Sequence, residues 1–126
     1  VSTNAQIRAS LADKLCEVHG LNVHAYPVDN ITPPCAVIAN LERELTTFDG
    51  GSTVGLIVQV LCSHNNTQQM AEVDDLVDPN VTTSVPSVIE ADEDLSLAVR
   101  SIGSLGLYEY AGVVYYGAPV TVEVID

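Results

Sequence analysis

The sequence predicts an α+β domain, a mostly antiparallel sheet with two to three helices packed on it. Three observations carry that prediction. The elements run helix, four extended pieces, two helices and a closing hairpin, and strands grouped apart from helices point away from a doubly wound fold. Apolar residues recur at helical spacing near the start, at Ile7, Leu11, Leu15 and Val18. Near the end they alternate with period two, where Val120, Val122 and Val124 bracket Thr121 and Glu123. A chain of 126 residues is expected to form one domain, 1–126, around one core.

Each element follows from local chemistry. Thr3 and Gln6 form a Thr-x-x-Gln capping box that opens the first helix, and His19 with Gly20 supplies its stop. Val23 to Tyr26 reads as a short strand halted by Pro27, and the segment from Asp29 to Pro34 reads as a loop because two prolines remove amide donors. Cys35 to Leu41 is nearly continuous apolar, which predicts a central strand covered on both faces, with Glu42 to Phe48 continuing extended on a more exposed edge. Asp49-Gly50-Gly51-Ser52 is a turn. Thr53 to Cys62 is the longest strand, with Val54, Leu56, Val58, Val60 and Cys62 on one face and Thr53, Gly55 and Gln59 on the other.

Asn65 or Asn66 caps a second helix, Thr67 to Asp78, whose Met70, Val73, Leu76 and Val77 face inward and which Pro79 ends. A short third helix carries Pro86 in its first turn and buries Val88 and Ile89. Glu90, Asp92, Glu93 and Asp94 form a solvated connector. The hairpin runs from Ala98 to Tyr110, turns at Ala111-Gly112 and returns from Val113 to Ile125, with Pro119 implying a bulge or an edge position.

Charge excludes whole classes of partner. Seventeen acidic residues face four basic ones, Arg8, Lys14, Arg43 and Arg100, for a net charge of −13. Nucleic-acid affinity comes mostly from cations that displace counterions, and anionic membrane surfaces repel the same charge, so neither is an expected partner. No apolar run approaches the roughly 20 residues of a membrane span. No basic start leads into an apolar stretch, so no signal peptide is expected, and Asn30, Asn65 and Asn80 read as chance glycosylation sequons. Cys16, Cys35 and Cys62 fall on apolar stretches without a Cys-x-x-Cys pair and read as buried reduced thiols.

No group of residues has the pattern of a catalytic or metal site. His19, His24 and His64 lack the short fixed spacings of a zinc site. Glu72, Asp74, Asp75 and Asp78 read as a solvated helix face, not a calcium loop. There is no Gly-x-Ser-x-Gly elbow, Ser63-His64 are sequence neighbours at a strand end, and Gly50-Gly51-Ser52-Thr53 lacks the lysine and spacing of a phosphate loop. Neither catalysis nor a cofactor is expected. Four of five tyrosines, Tyr108, Tyr110, Tyr115 and Tyr116, flank the hairpin turn. They fit cross-strand pairing within the hairpin or anchors of a protein interface, and both roles can hold together.

Several stretches resemble tail terminator proteins of long-tailed phages, especially those of actinobacterial hosts. They are Ile7 to Asp13, Gly20 to Val23, Pro33 to Ile38, Thr47 to Gly51, Ile57 to Leu61, Val88 to Asp92 and Tyr115 to Val124, in order over nearly the whole chain. The glycine loop of such proteins often carries an arginine, and Asp49-Gly50-Gly51-Ser52 has none. The resemblance implies helices packed on a sheet, no catalysis and no cofactor. It also implies a homo-oligomeric ring, usually a hexamer, that caps the tail-tube protein and joins it to the head-side connector or stopper. The place implied is the virion neck, reached from the host cytoplasm, with DNA passing through the ring unbound. Phe48, Asp49, Gly50 and Gly51 and the hairpin tyrosines Tyr108, Tyr110, Tyr115 and Tyr116 are the expected oligomer contacts. The alternatives are another neck component, such as a head-completion or stopper protein, and a small cytosolic enzyme or ligand-binding domain.

Overall fold

The first helix starts where its orphan amides find side-chain partners. Thr3 Oγ1 accepts from the Gln6 N–H at 3.2 Å, and the Thr3 N–H donates to Gln6 Oε1 at 2.8 Å, closing the capping box. In this computed structural model, residues 3–18, 21–27, 30–45, 52–90 and 97–125 are described. Helix α1 spans Asn4–Leu15 and buries Ile7, Leu11 and Leu15 completely, with Val18 following on the same side. His19, Gly20 and most of the acidic connector lie outside the described residues.

The other elements are β1 (Asn22–His24), β2 (Cys35–Leu45), β3 (Ser52–Ser63), α2 (Thr67–Leu76), α3 (Val85–Glu90), β4 (Leu97–Ile102), β5 (Gly106–Tyr110) and β6 (Val113–Ile125). The strands form one six-stranded sheet in the order β1-β2-β3-β6-β4, with β5 also paired to β6. All pairs are antiparallel except β1 with β2. The architecture is α+β, as the order of elements predicts.

All three helices contribute to one core that covers one face of the sheet. Ile7, Leu11, Leu15, Val73, Val77, Val85 and Ile89 meet Ala36, Ile38, Val54, Leu56, Val58, Val60, Cys62, Ala118, Val120, Val122 and Val124. Each large side chain buried there contributes about 1.5–3 kcal/mol by leaving water. Met70, Leu76 and Val88 pack against this core while staying partly exposed. Two contacts fix the helices to the sheet. Arg8 Nη1 donates to the carbonyls of Ala25 and Ile38 at 2.7 and 2.8 Å, with its guanidinium 4.7 Å from the Tyr26 ring centre. The Tyr116 hydroxyl donates to Asp74 Oδ1 at 2.8 Å, tying α2 to β6.

Five sequence expectations need correction. The first strand is Asn22–His24, not Val23 to Tyr26, because the Ala25 carbonyl turns to Arg8 and leaves the ladder. Coverage of β2 on both faces stops after Ile38. There a bulge at Ala39 shifts the register, so Asn40 pairs with Ile57 and Glu42 with Gly55 on the face without helices. The stretch Ala98 to Tyr110 is two strands broken at 103–105, and Pro119 lies on an inner strand, neither bulged nor at an edge. The Pro119 carbonyl accepts from the Gly103 N–H at 2.8 Å, so its missing N–H would point at that same break and no ladder bond is lost. Finally, Cys16 is exposed, since it sits one step around the helix from the buried Leu15, whereas Cys35 and Cys62 are buried.

The approach of β3 to β6 leaves no room at Gly117. A Cβ there would lie 1.8 Å from the Val60 carbonyl oxygen, whereas one on Gly55 would meet nothing nearer than the Glu42 oxygen at 4.0 Å. Gly117→Ala is therefore expected to cost about 3 kcal/mol or more in urea unfolding. Gly55→Ala, in the same pair of strands, is expected to stay within about 0.5 kcal/mol of the parent.

Candidate protein-contact surface

The face opposite the helices divides into a covered half and an uncovered half. Cys35, Val37 and Leu61 form a small second core there, packed by Ile31, Tyr108, Tyr110 and Tyr115. Period two explains the grouping. Tyr108 pairs directly with Tyr115, and Tyr110 pairs with Val113 around a two-residue turn in which Ala111 and Gly112 have φ of 50° and 82°. Tyr116, one residue from Tyr115, points to the other face and reaches α2. The Tyr108 hydroxyl donates to the Ser104 carbonyl at 2.5 Å.

The hairpin thus uses all four tyrosines inside the subunit, each half-buried, with three on one face and Tyr116 on the other. Phe48, Asp49, Gly50 and Gly51 lie outside the described residues.

The uncovered half lies toward the other end of the sheet. Asn40, Glu42, Gly55, Ile57 and Thr121 line an open depression of about 460 Å³. Glu42 and Glu123 stand on either side of Gly55 in one cross-strand row, two strand spacings or about 10 Å apart. Arg100 Nε bridges Glu123 Oε2 at 3.2 Å, and no cation pairs with Glu42 among the described residues. The depression is open, and Glu42 and Glu123 both line the smaller hollow beside it. Among the described residues, no three His, Cys, Asp or Glu side chains are placed to hold a metal ion. His64 Nδ1 donates to the Val114 carbonyl at 3.0 Å, so it acts as a structural link between β3 and β6.

The residues that sequence reasoning missed are apolar and sit at the hairpin end. Leu107 is 62% exposed, Val113 49%, Leu105 43% and Val114 39%. Their neighbours on β5, Tyr108 and Tyr110, turn inward, so alternation forces Leu107 and Glu109 onto the other face, beyond the reach of the helices. The signal was present in Gly-Leu-Tyr-Glu-Tyr: with tyrosine taken as the inward parity, leucine must be the outward one.

The thiols follow their burial. Desolvation pushes Cys35 up to about 11 from an ordinary value near 9, with the neighbouring Cys62 adding to the rise. Cys62 is raised by burial first, then by Asp74 and Glu72. The hydrogen bond to Asp74, followed by burial, holds the Tyr116 hydroxyl protonated to higher pH. Because the folded chain keeps the Cys35 proton longer than the unfolded chain does, that group's contribution to stability is complete below about pH 9 and is lost as pH rises through about 11. At about pH 8, iodoacetamide is therefore expected to label Cys16 rapidly and to label Cys35 and Cys62 only after denaturant is added, as read by intact mass. Rapid labelling of all three in the native chain would contradict this packing.

No helix among the described residues is long and apolar enough to cross a membrane. Compared with protein-family models and with curated proteins, the chain matches none.

Proposed function

We propose that this chain is a structural assembly protein that works in several copies, as a ring that closes the end of a phage tail tube and joins it to the head-side connector. The observation that carries this proposal is the β5–β6 hairpin, where Leu105, Leu107, Val113 and Val114 stay exposed. Leu107 and Val114 share one face of that hairpin, and exposed large apolar side chains gathered on one element suit a surface that other protein covers. The resemblance of stretches from Ile7 through Val124 to tail terminator proteins supplies the kind of assembly.

The charge fits the same role. Copies of a chain with net charge −13 arranged around a channel would repel a passing polyanion, which favours transit of DNA over its retention. The acidic, uncovered half of the sheet, with Glu42 and Glu123, is one surface that could face such a channel.

Negative-stain microscopy of the chain mixed with open-ended tubes of tail-tube protein tests the proposal. Rings of about six copies seated at one tube end are the expected result. Tubes whose ends stay bare at saturating chain concentration would overturn it.

A further inference from the structure

We propose that two copies of the free chain pair edge to edge through β5, antiparallel, about a two-fold axis at Tyr108. The edge of the sheet beyond β6 is shared by β4 and β5, and the two halves differ. The β4 half carries a register shift between Val99 and Ser101, with Arg100 at the shift bridged to Glu123. A bulge and a charge are devices that keep an edge from pairing further. The β5 half, Gly106–Tyr110, pairs with β6 without a shift, contains no proline, exposes Leu107 and carries one charge, Glu109.

Backbone parity identifies the groups that a partner would meet. In an antiparallel ladder, successive residues turn their N–H and C=O alternately to the two sides. Val114 offers its carbonyl to His64 on the β3 side, and Pro119 offers its carbonyl to Gly103 on the opposite side. Val113, Tyr115 and Gly117 therefore bond toward β5, meeting Tyr110, Tyr108 and Gly106. The backbone groups of Leu107 and Glu109 point away from β6, and the sheet has no described strand on that side.

These outward groups match a second copy of themselves. With the axis at Tyr108, Leu107 of each chain lies opposite Glu109 of the other, and each such pair exchanges both N–H···O bonds. Tyr108 meets Tyr108 as a close, non-hydrogen-bonded pair. A two-residue shift in one direction sets Glu109 against Glu109, which like charge opposes. The same shift in the other direction runs past Gly106, where β5 begins. Pairing also covers Leu107. It is a property of the chain before it meets a tube and does not require the ring.

Charge predicts how the pair responds to salt. Each copy brings a net charge of −13, so association is expected to strengthen severalfold between about 0.01 M and 0.1 M salt, where the screening length falls from about 30 to about 10 Å.

Sedimentation equilibrium on the purified chain alone, with three variants, tests the inference. The parent is expected to be a reversible dimer. Glu109→Pro, which removes an outward N–H without touching the β6 ladder, is expected to be monomeric with an unchanged circular dichroism spectrum. Leu107→Asp, which keeps every N–H but sets a carboxylate opposite the partner's Glu109, is expected to weaken the dimer at least about tenfold. Tyr108→Cys in a Cys16→Ser background is expected to form a disulfide-linked dimer under mild copper-catalysed air oxidation, because residues on the axis come within cross-strand disulfide range. A parent that stays monomeric at every concentration and salt would overturn the pairing, as would a dimer that resists both edge variants and forms no Tyr108→Cys link. A ring on tail tubes with a monomeric free chain would overturn the pairing while leaving the proposed function standing.

Discussion

Strand β3 and strand β6 pair over eleven positions, from Thr53 opposite Ile125 to Ser63 opposite Tyr115, and the backbones close to the point where Gly117 has no space for a methyl group. This pairing sets the parity of the whole sheet. Val54, Leu56, Val58 and Val60 fall on one side, with Val120, Val122 and Val124 beside them, and that side takes all three helices. On the opposite side only Leu61 joins a small second core, and the stretch with Thr53, Gly55, Ile57 and Thr121 is left uncovered. A sheet covered on one face, with an apolar hairpin extending past the helices, follows from that single register.

Contact between proteins is the use we propose for what remains. The covered half of the open face is sealed by the chain's own Tyr108, Tyr110 and Tyr115, and Tyr116 is held by Asp74 on the other side. The tyrosines thus stiffen the hairpin, and a stiff hairpin presents Leu107 and Val114 at low entropic cost. The uncovered half is open, acidic and floored by Gly55, a shape suited to a broad neighbour or to a repulsive lining.

Much of this was legible in the sequence, and the unread parts share a physical cause. The capping box at Thr3, the period of Ile7, Leu11 and Leu15, and the turn at Ala111-Gly112 are local features whose chemistry lies within a few residues. The bulge at Ala39 was hidden because Cys35 to Leu41 is almost wholly apolar, so a slip in parity leaves no mark until Asn40 and Glu42. The break between β4 and β5 depends on Gly103 meeting Pro119, where a Cβ would lie 2.5 Å from the proline ring, a contact between two strands that neither strand announces alone. Tyr116 looks in sequence like the other hairpin tyrosines, yet its partner Asp74 lies on a helix that only the fold brings near. The exposure of Leu107 likewise needs the position of the helices as well as the alternation.

We propose that this chain meets other protein at the outward edge of β5. Amide hydrogen exchange resolved to single residues tests it most directly, comparing Leu107 and Glu109 with Tyr108 and Tyr110 in dilute and in associated samples. Tyr108 and Tyr110, bonded to β6, are expected to be protected in both, while Leu107 and Glu109 exchange freely when dilute and slow sharply on association. Leu107 and Glu109 amides that exchange at the same free rate in every associated form would contradict it.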